Sequence, residues 1–221
     1  MNSVKLKFLS CQINVSRGVF KPRIETEFWV KRAIKICQKE IERQKIKKPK
    51  FLDIFAGSGC IGIAVLKNIQ NSFVDFVDID KRAIEQIKEN LKLNKISKKR
   101  FKIYLSDMFE KIKNKKYNFI FANPPYVAKE RMFLVQESVK KSESKRAWYG
   151  GKGGLKYIKK FLKEAKRFLK KEGIIFLEID PLQKEKIKKI LKKEGYEKFK
   201  FFKDQFKKIR WLKIHAPNHQ I

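Results

Sequence analysis

The chain predicts an α/β protein: an open, mostly parallel sheet with helices on both faces and an antiparallel strand at the C-terminal end. Two observations carry this. From residue 51 onward, short β-rich runs alternate with longer runs whose apolar residues recur every three or four positions. The last two β-rich runs are joined by too few residues for a crossover, so they pair antiparallel.

The elements follow in order. Residues 6–20 predict a short hairpin and residues 25–44 an amphipathic helix. The charged segment 45–50 marks a boundary, giving an N-terminal unit of residues 1–48 and a main domain of residues 49–221. Residues 51–55 predict a buried strand, 61–69 a helix and 73–79 a second strand. Residues 81–94 form a helix with Ala83, Ile84, Ile87 and Leu91 on one face. Residues 101–105 and 117–122 are the third and fourth strands. Residues 127–153 read as a long irregular insertion, and such loops in α/β proteins carry function. Residues 155–170 predict a helix with Ile158, Phe161, Leu162, Ala165 and Leu169 on one side. Gly173 precedes a strand at 174–179, Pro181 opens a helix to residue 193, and 197–202 and 208–214 are the closing strands.

Composition narrows the class. The chain has 221 residues, 43% hydrophobic and 13% aromatic, enough for a core despite 36% charged residues. No apolar run approaches the roughly 20 residues of a membrane span, and the N-terminus has no signal-peptide stretch. These features predict a cytoplasmic protein without membrane association. Cys11, Cys37 and Cys60 are odd in number and form no CxxC pair, so neither a disulfide frame nor a metal site is expected. The formal charge is +33, and 46 of the 56 basic residues are lysine, spread over nearly every predicted helix. Two readings stay open: a lysine-rich composition filling solvated faces, or attraction to ribosomal or other RNA.

A polar constellation follows the strand ends. The first strand runs into Gly57-Ser58-Gly59-Cys60-Ile61-Gly62, a glycine-rich turn at a helix start, where backbone N–H groups can approach a ligand closely. Asp53, inside that strand, must meet a cation or hydrogen-bond donors. Asp78 ends the second strand, where a carboxylate can accept both hydroxyls of a ribose. Asp80 can cap the following helix instead. Asp107 follows the third strand, placed for an adenine amino group, with Met108 beside it for the ring. Asn123 follows the fourth, so all line one crevice. A dinucleotide is the rival ligand, but no segment after residue 181 is large enough for a dehydrogenase's second domain.

Asn123-Pro124-Pro125-Tyr126 is the most specific signal. Proline fixes φ and removes the backbone donor, leaving the carbonyls of Asn123 and Pro124 outside regular structure. An amide side chain and an aromatic ring stand beside them. Such a platform suits a planar NH2 group, either a carboxamide or an exocyclic base amine.

At this point the chain resembles the class I S-adenosylmethionine-dependent methyltransferases, which have a Rossmann-like sheet. More narrowly it resembles the protein-glutamine methyltransferases that modify peptide-chain release factors. Pro22-Arg23-Ile24-Glu25-Thr26-Glu27 is similar to the family's Pro-Arg-Pro-Glu-Thr-Glu, and Trp148-Tyr149-Gly150-Gly151-Lys152-Gly153-Gly154-Leu155 to its Leu-Phe-Gly-Gly-Glu-Asp-Gly-Leu. Glu178-Ile179-Asp180-Pro181-Leu182-Gln183 is similar to its late Glu-Ile-Gly-x-x-Gln. Phe55-Ala56 stands where the family usually has Gly-Thr, as in some ribosomal-RNA guanine methyltransferases. No counterpart is expected in these 221 residues of the helical domain that bacterial members commonly carry at the N-terminus.

The resemblance implies S-adenosyl-L-methionine as cofactor, held by Thr26, Asp53, Phe55, Ala56, Gly57, Ser58, Gly59, Asp78, Asp107, Met108 and Asn123. It implies a release-factor glutamine as substrate, bound by Asn123, Pro124, Pro125 and Tyr126. Asn123 Oδ1 and the Pro124 carbonyl would accept its two N–H bonds while Tyr126 stacks on the amide plane. No base is required, and His215 and His219 are expected to be bystanders in a C-terminal tail. The alternative is an RNA or DNA amino-methyltransferase gripping an exocyclic amine on the same platform. A silent RNA- or ribosome-binding module would leave Asp53, Asp78 and Asn123 without a reason to occur together.

Overall fold

The computed structural model describes residues 3–217. It opens with an antiparallel hairpin, β1 (Val4–Phe8) and β2 (Cys11–Val15), then the long helix α1 (Ile24–Arg43). The expected hairpin therefore ends five residues early, and residues 16–23 cross toward the site through a turn in which Val19 N–H donates to the Ser16 carbonyl. Three side-chain amides of one helix hold β2 in place. The N–H groups of Gln12, Asn14 and Ser16 donate to Asn94 Oδ1, Asn90 Oδ1 and Gln86 Oε1, at 3.1, 2.9 and 2.8 Å. The match is geometric: four helical residues rise about 6 Å, close to the roughly 6.7 Å of two strand residues.

A seven-stranded sheet follows, built from β3 (Lys50–Ile54), β4 (Phe73–Asp78), β5 (Phe101–Leu105), β6 (Tyr117–Ala122), β7 (Leu169–Glu178), β8 (Phe199–Lys203) and β9 (Ile209–His215). Their spatial order is β5-β4-β3-β6-β7-β9-β8. All neighbours pair parallel except β9, which runs antiparallel to both β7 and β8. Helices α2 (Cys60–Asn68) and α3 (Lys81–Leu93) connect the first strands. The insertion holds two short helices, α4 (Glu137–Ser142) and α5 (Lys145–Trp148), and α6 (Lys156–Ala165) and α7 (Lys184–Lys193) complete the layers.

Strand periodicity sorts the core. Phe51, Phe76, Phe121, Phe176 and Trp211 face one side, packed with Trp29 and Val30 of α1 and with Phe8 and Ile13 of the hairpin. Leu52, Ile54, Ile120 and Leu177 face the other, against Phe161 and Leu162 of α6 and Ile187 of α7. At least about 1.5–3 kcal/mol per buried large side chain favours this arrangement.

Two boundaries differ from expectation. The helix expected over 155–170 ends at Ala165, and β7 begins at Leu169 instead of residue 174. Tyr117 pairs with Leu169 and Phe119 with Ile174, so the strand carries an irregularity around Gly173 that apolar spacing does not reveal. His215 is not in a tail: it is the last residue of β9, paired with Ile174. His219 lies outside the described residues.

The chain runs from β3 outward through β4 to β5, then returns to place β6 on the other side of β3. That reversal opens a crevice at the C-terminal ends of β3 and β6, where α/β sheets bind ligands.

Candidate active site

The crevice holds a cavity of about 330 Å³. Its floor is the turn after β3, where Phe55, Gly57 and Gly59 have φ of 61°, 54° and 76°. Gly57 and Gly59 adopt this left-handed conformation freely; Phe55 does so under strain, and its ring packs edge-on against Tyr157 and Phe161. Asp78 anchors the turn. Its Oδ2 accepts from Gly57 N–H at 2.8 Å and its Oδ1 from Asp80 N–H at 2.9 Å. A carboxylate has about four lone-pair sites, so the backbone donors do not exhaust its capacity to accept. Burial raises its pKa against these backbone donors.

Asp53 sits beneath the turn and does not reach the wall. It is 2% exposed, with Oδ2 accepting from Gly62 N–H at 2.9 Å and Oδ1 left without a partner. Burial pushes its pKa up to about 8, the Gly62 bond opposing and Asp78 adding to the rise. Among the described residues Asp53 therefore meets one donor and no cation, and it ties the start of α2 to β3.

Along the wall, Met108 (φ 47°) and Ala83 supply apolar surface. Asp107 lines the wall with one oxygen paired to Lys160 Nζ at 2.8 Å. Asp80 caps α3 through Arg82 N–H and pairs with the Arg82 guanidinium. Thr26, Phe55, Ala56 and Ser58 also line the cavity; Gly59 does not, acting as the N-cap of α2 with Ile87 behind it.

A second cavity, of about 450 Å³, lies on the other side of the Asn123-Pro124-Pro125-Tyr126 platform. Phe20, Asn123, Pro125 and Ala147 line both cavities, so the two join there. Among the described residues, no hydrogen bond uses the Asn123 side chain or the Pro124 carbonyl. The platform is braced from behind. Gln183 Nε2 donates to the carbonyls of Tyr126, Gly153 and Gly154 at 2.9, 3.0 and 3.2 Å. Val127 N–H donates to the Trp148 carbonyl and the Val127 carbonyl accepts from Gly150 N–H, both at 2.8 Å. A β-carbon on Gly150 would stand 2.6 Å from the Pro125 carbonyl, and one on Gly154 would overlap that of Tyr126. Both glycines are therefore required by close approach.

Glu178, at the end of β7, is the group the sequence reading treated only as part of a motif. It is 1% exposed and accepts three side-chain bonds: Thr26 Oγ1 at 2.8 Å, Trp29 Nε1 at 2.6 Å and Tyr126 OH at 2.9 Å. Burial raises its pKa while Trp29, Thr26 and Tyr126 lower it. It also lines the second cavity, linking α1 to the platform. The signal was available: a lone carboxylate in an apolar strand, as at Asp53. Tyr126 is correspondingly held by its hydroxyl. Phe20, Arg146 and Tyr157 line the first cavity without having been singled out.

The insertion folds over both cavities. Gly18 N–H donates to Ser142 O at 2.7 Å and Ser144 N–H to Gly18 O at 3.2 Å. Glu143, 6% exposed, pairs with Arg23 and accepts from Lys21 N–H.

A family model described as the methyltransferase small domain matches residues 33–152. A release factor glutamine methyltransferase of Thermodesulfovibrio yellowstonii is 34% identical over 200 residues, covering 89% of this chain and 68% of that protein. Another, of Aquifex aeolicus, is 33% identical over 190 residues, 86% of this chain and 64% of that protein. The chain thus spans about two thirds of the length of these relatives. In fold it is similar to the T. thermophilus 16S rRNA N2 G1207 methyltransferase in complex with AdoMet and guanosine. That likeness has a TM-score of 0.68 at 16% identity, over 97% of this chain and 50% of that one.

Proposed function

Because the chain belongs to the release factor glutamine methyltransferase family, we propose that it methylates the side-chain amide nitrogen of a glutamine in a peptide chain release factor. The observation that carries this is the join of two cavities at Asn123.

The first cavity fits S-adenosyl-L-methionine, which supplies an electrophilic methyl group. Asp78 keeps capacity to accept from ribose hydroxyls, and Met108 and Ala83 offer apolar surface to a base. The acidic residues Asp78, Asp80 and Asp107 against one arginine, Arg146, suit a cationic ligand. Thr26, Phe55, Ala56, Gly57 and Ser58 complete the wall. Asp53 and Gly59 act behind it, shaping the turn.

At the join, Asn123 Oδ1 and the Pro124 carbonyl accept both hydrogens of the substrate amide. Its lone pair, otherwise delocalised, is then turned toward the first cavity. Orientation of this kind contributes up to about 7–11 kcal/mol in well-aligned cases. Pro125 stiffens the platform, and Tyr126 packs on the amide with its hydroxyl fixed by Glu178. Positive charge that grows on the nitrogen is stabilised by the two acceptors and by the nearby Glu178 carboxylate. The acidic N-protonated product then loses its proton to solvent.

The second cavity favours a protein over a nucleic acid. In a chain with 46 lysines, none of the described residues lining it is a lysine. Its three arginines are each paired with a carboxylate: Arg23 with Glu143, Arg131 with Asp180 and Arg210 with Asp204. A phosphodiester would require unpaired cations beside the acceptor site. The +33 charge belongs to solvated faces, and contact with RNA or the ribosome is non-specific. We place the enzyme in the cytoplasm; among the described residues no helix is long and apolar enough to cross a membrane.

The test supplies methyl-labelled cofactor with purified release factor and, separately, ribosomal RNA, and maps the label by mass spectrometry. Label on a release-factor glutamine is expected. Label confined to a base amine of RNA overturns the assignment.

A further inference from the structure

Resting on the protein-substrate reading above, we propose that Phe133, Leu134 and Leu182 form an apolar docking rim for a loop of the release factor beside the second cavity. These side chains are 76%, 63% and 74% exposed. Large apolar groups held in water on a lysine-rich surface mark a contact site when they gather in one place. Here they do. Arg131 pairs with Asp180 at 2.6 Å, tying the 129–134 turn to the turn that carries Leu182. Glu130 Oε2 accepts from Gly153 N–H at 3.0 Å, fixing the same turn to the glycine segment behind the platform. Leu134, Arg131 and Asp180 are themselves part of the cavity wall, so the rim is continuous with the place where the amide is held. Ile24, 62% exposed between the wall residues Arg23 and Glu25, extends the apolar surface.

Charge selects the occupant. Among the described residues the cavity wall that the rim borders has no lysine and its three arginines are paired. The rim's cavity side therefore offers hydrophobic area without a free cation, while Lys129 opens the rim's own turn and Lys152 and Lys186 lie near Glu130. A neutral, apolar stretch of polypeptide is complementary to that surface; a phosphate backbone is not. The rim is also held in place before binding, so little ordering opposes docking. Because it contacts the substrate away from the reacting nitrogen, it contributes to binding equally in the ground and transition states.

The test is the double variant Phe133→Ser/Leu182→Ser, both at exposed positions, beside Val4→Ser as an exposed apolar control on β1. Methylation of intact release factor is measured as KM and kcat, with the affinity for S-adenosylhomocysteine by calorimetry. The expected result is a KM raised by about tenfold or more, with kcat, cofactor affinity and the control unchanged. An unchanged KM, or a loss in kcat alone, overturns the rim. Failure of the unsubstituted protein to label release factor overturns the substrate reading instead, so the two are separable.

Discussion

At the scale of a single residue, the proposed function rests on Asn123. Asn123→Ala removes one acceptor and leaves both prolines, so the turn survives. Single-turnover methylation of release factor should fall at least about a hundredfold, with only a modest loss of S-adenosylhomocysteine affinity by calorimetry. Near-normal turnover would remove the platform from the chemistry. Glu178 is the structural counterpart. Glu178→Gln keeps the shape but presents an NH2 group to some of the donors Thr26, Trp29 and Tyr126 around a side chain that is 1% exposed. We expect about 2–4 kcal/mol of lost stability, read from urea unfolding. Asp53 yields a pH dependence. Its folded pKa, about 8, lies above the ordinary 3.8, so the fold prefers the protonated form. The associated stabilisation is present below 3.8 and lost as pH rises toward 8. Asp53→Asn does not titrate and keeps an acceptor for Gly62. Its stability relative to the unsubstituted protein should therefore rise between about pH 5 and about pH 8. Parallel unfolding midpoints across that range would show Asp53 ionised at no cost.

At the scale of elements, the platform is a joint between four pieces of chain. The exit from β6 carries it, the Trp148–Gly150 segment pairs with it, and Gln183 holds its carbonyls before α7. α1 reaches it through Thr26, Trp29 and Glu178. Gly154 is where these pieces approach most closely. Gly154→Ala forces the Tyr126 carbonyl to move, and its φ of +69° adds strain. Methyl transfer should drop by about tenfold to a hundredfold, because small displacements at a reacting centre are costly. Cofactor affinity should hold, since Gly154 is not on the first cavity's wall. A parallel loss of cofactor affinity would mean that the two cavities are not separately built.

For the whole molecule, charge and site are separate. The chain is +33, yet neither cavity wall has a lysine among its described residues. RNA binding is expected to be weak, indifferent to sequence, and to fall by about a thousandfold or more between about 50 and about 200 mM salt. Fluorescence anisotropy with unrelated RNAs checks this; tight, selective binding at physiological salt would place a nucleic-acid site on the surface. The N-terminal piece belongs to the same physical unit as the sheet. Phe8, Ile13 and Trp29 share one buried cluster with Phe51, Phe76 and Phe176.

The alternation of strand and helix, the glycine turn after β3 and the acidic residues at the strand ends were all legible in the sequence. Each depends on local geometry: periodicity sets the element, glycine permits positive φ, and the end of a strand fixes where its last side chain points. The Asn-Pro-Pro-Tyr platform was legible for the same reason, since proline dictates its own backbone. What only the tertiary structure decided is which distant groups meet. Glu178 and Thr26 are 152 residues apart, and Arg131 and Asp180 belong to separate loops. The irregular start of β7 and the placement of His215 in a strand depend on pairing with β6 and β9, outside any local pattern. Local sequence determines backbone conformation through short-range sterics. Burial, the pairing of charges and the joining of two cavities depend on long-range packing.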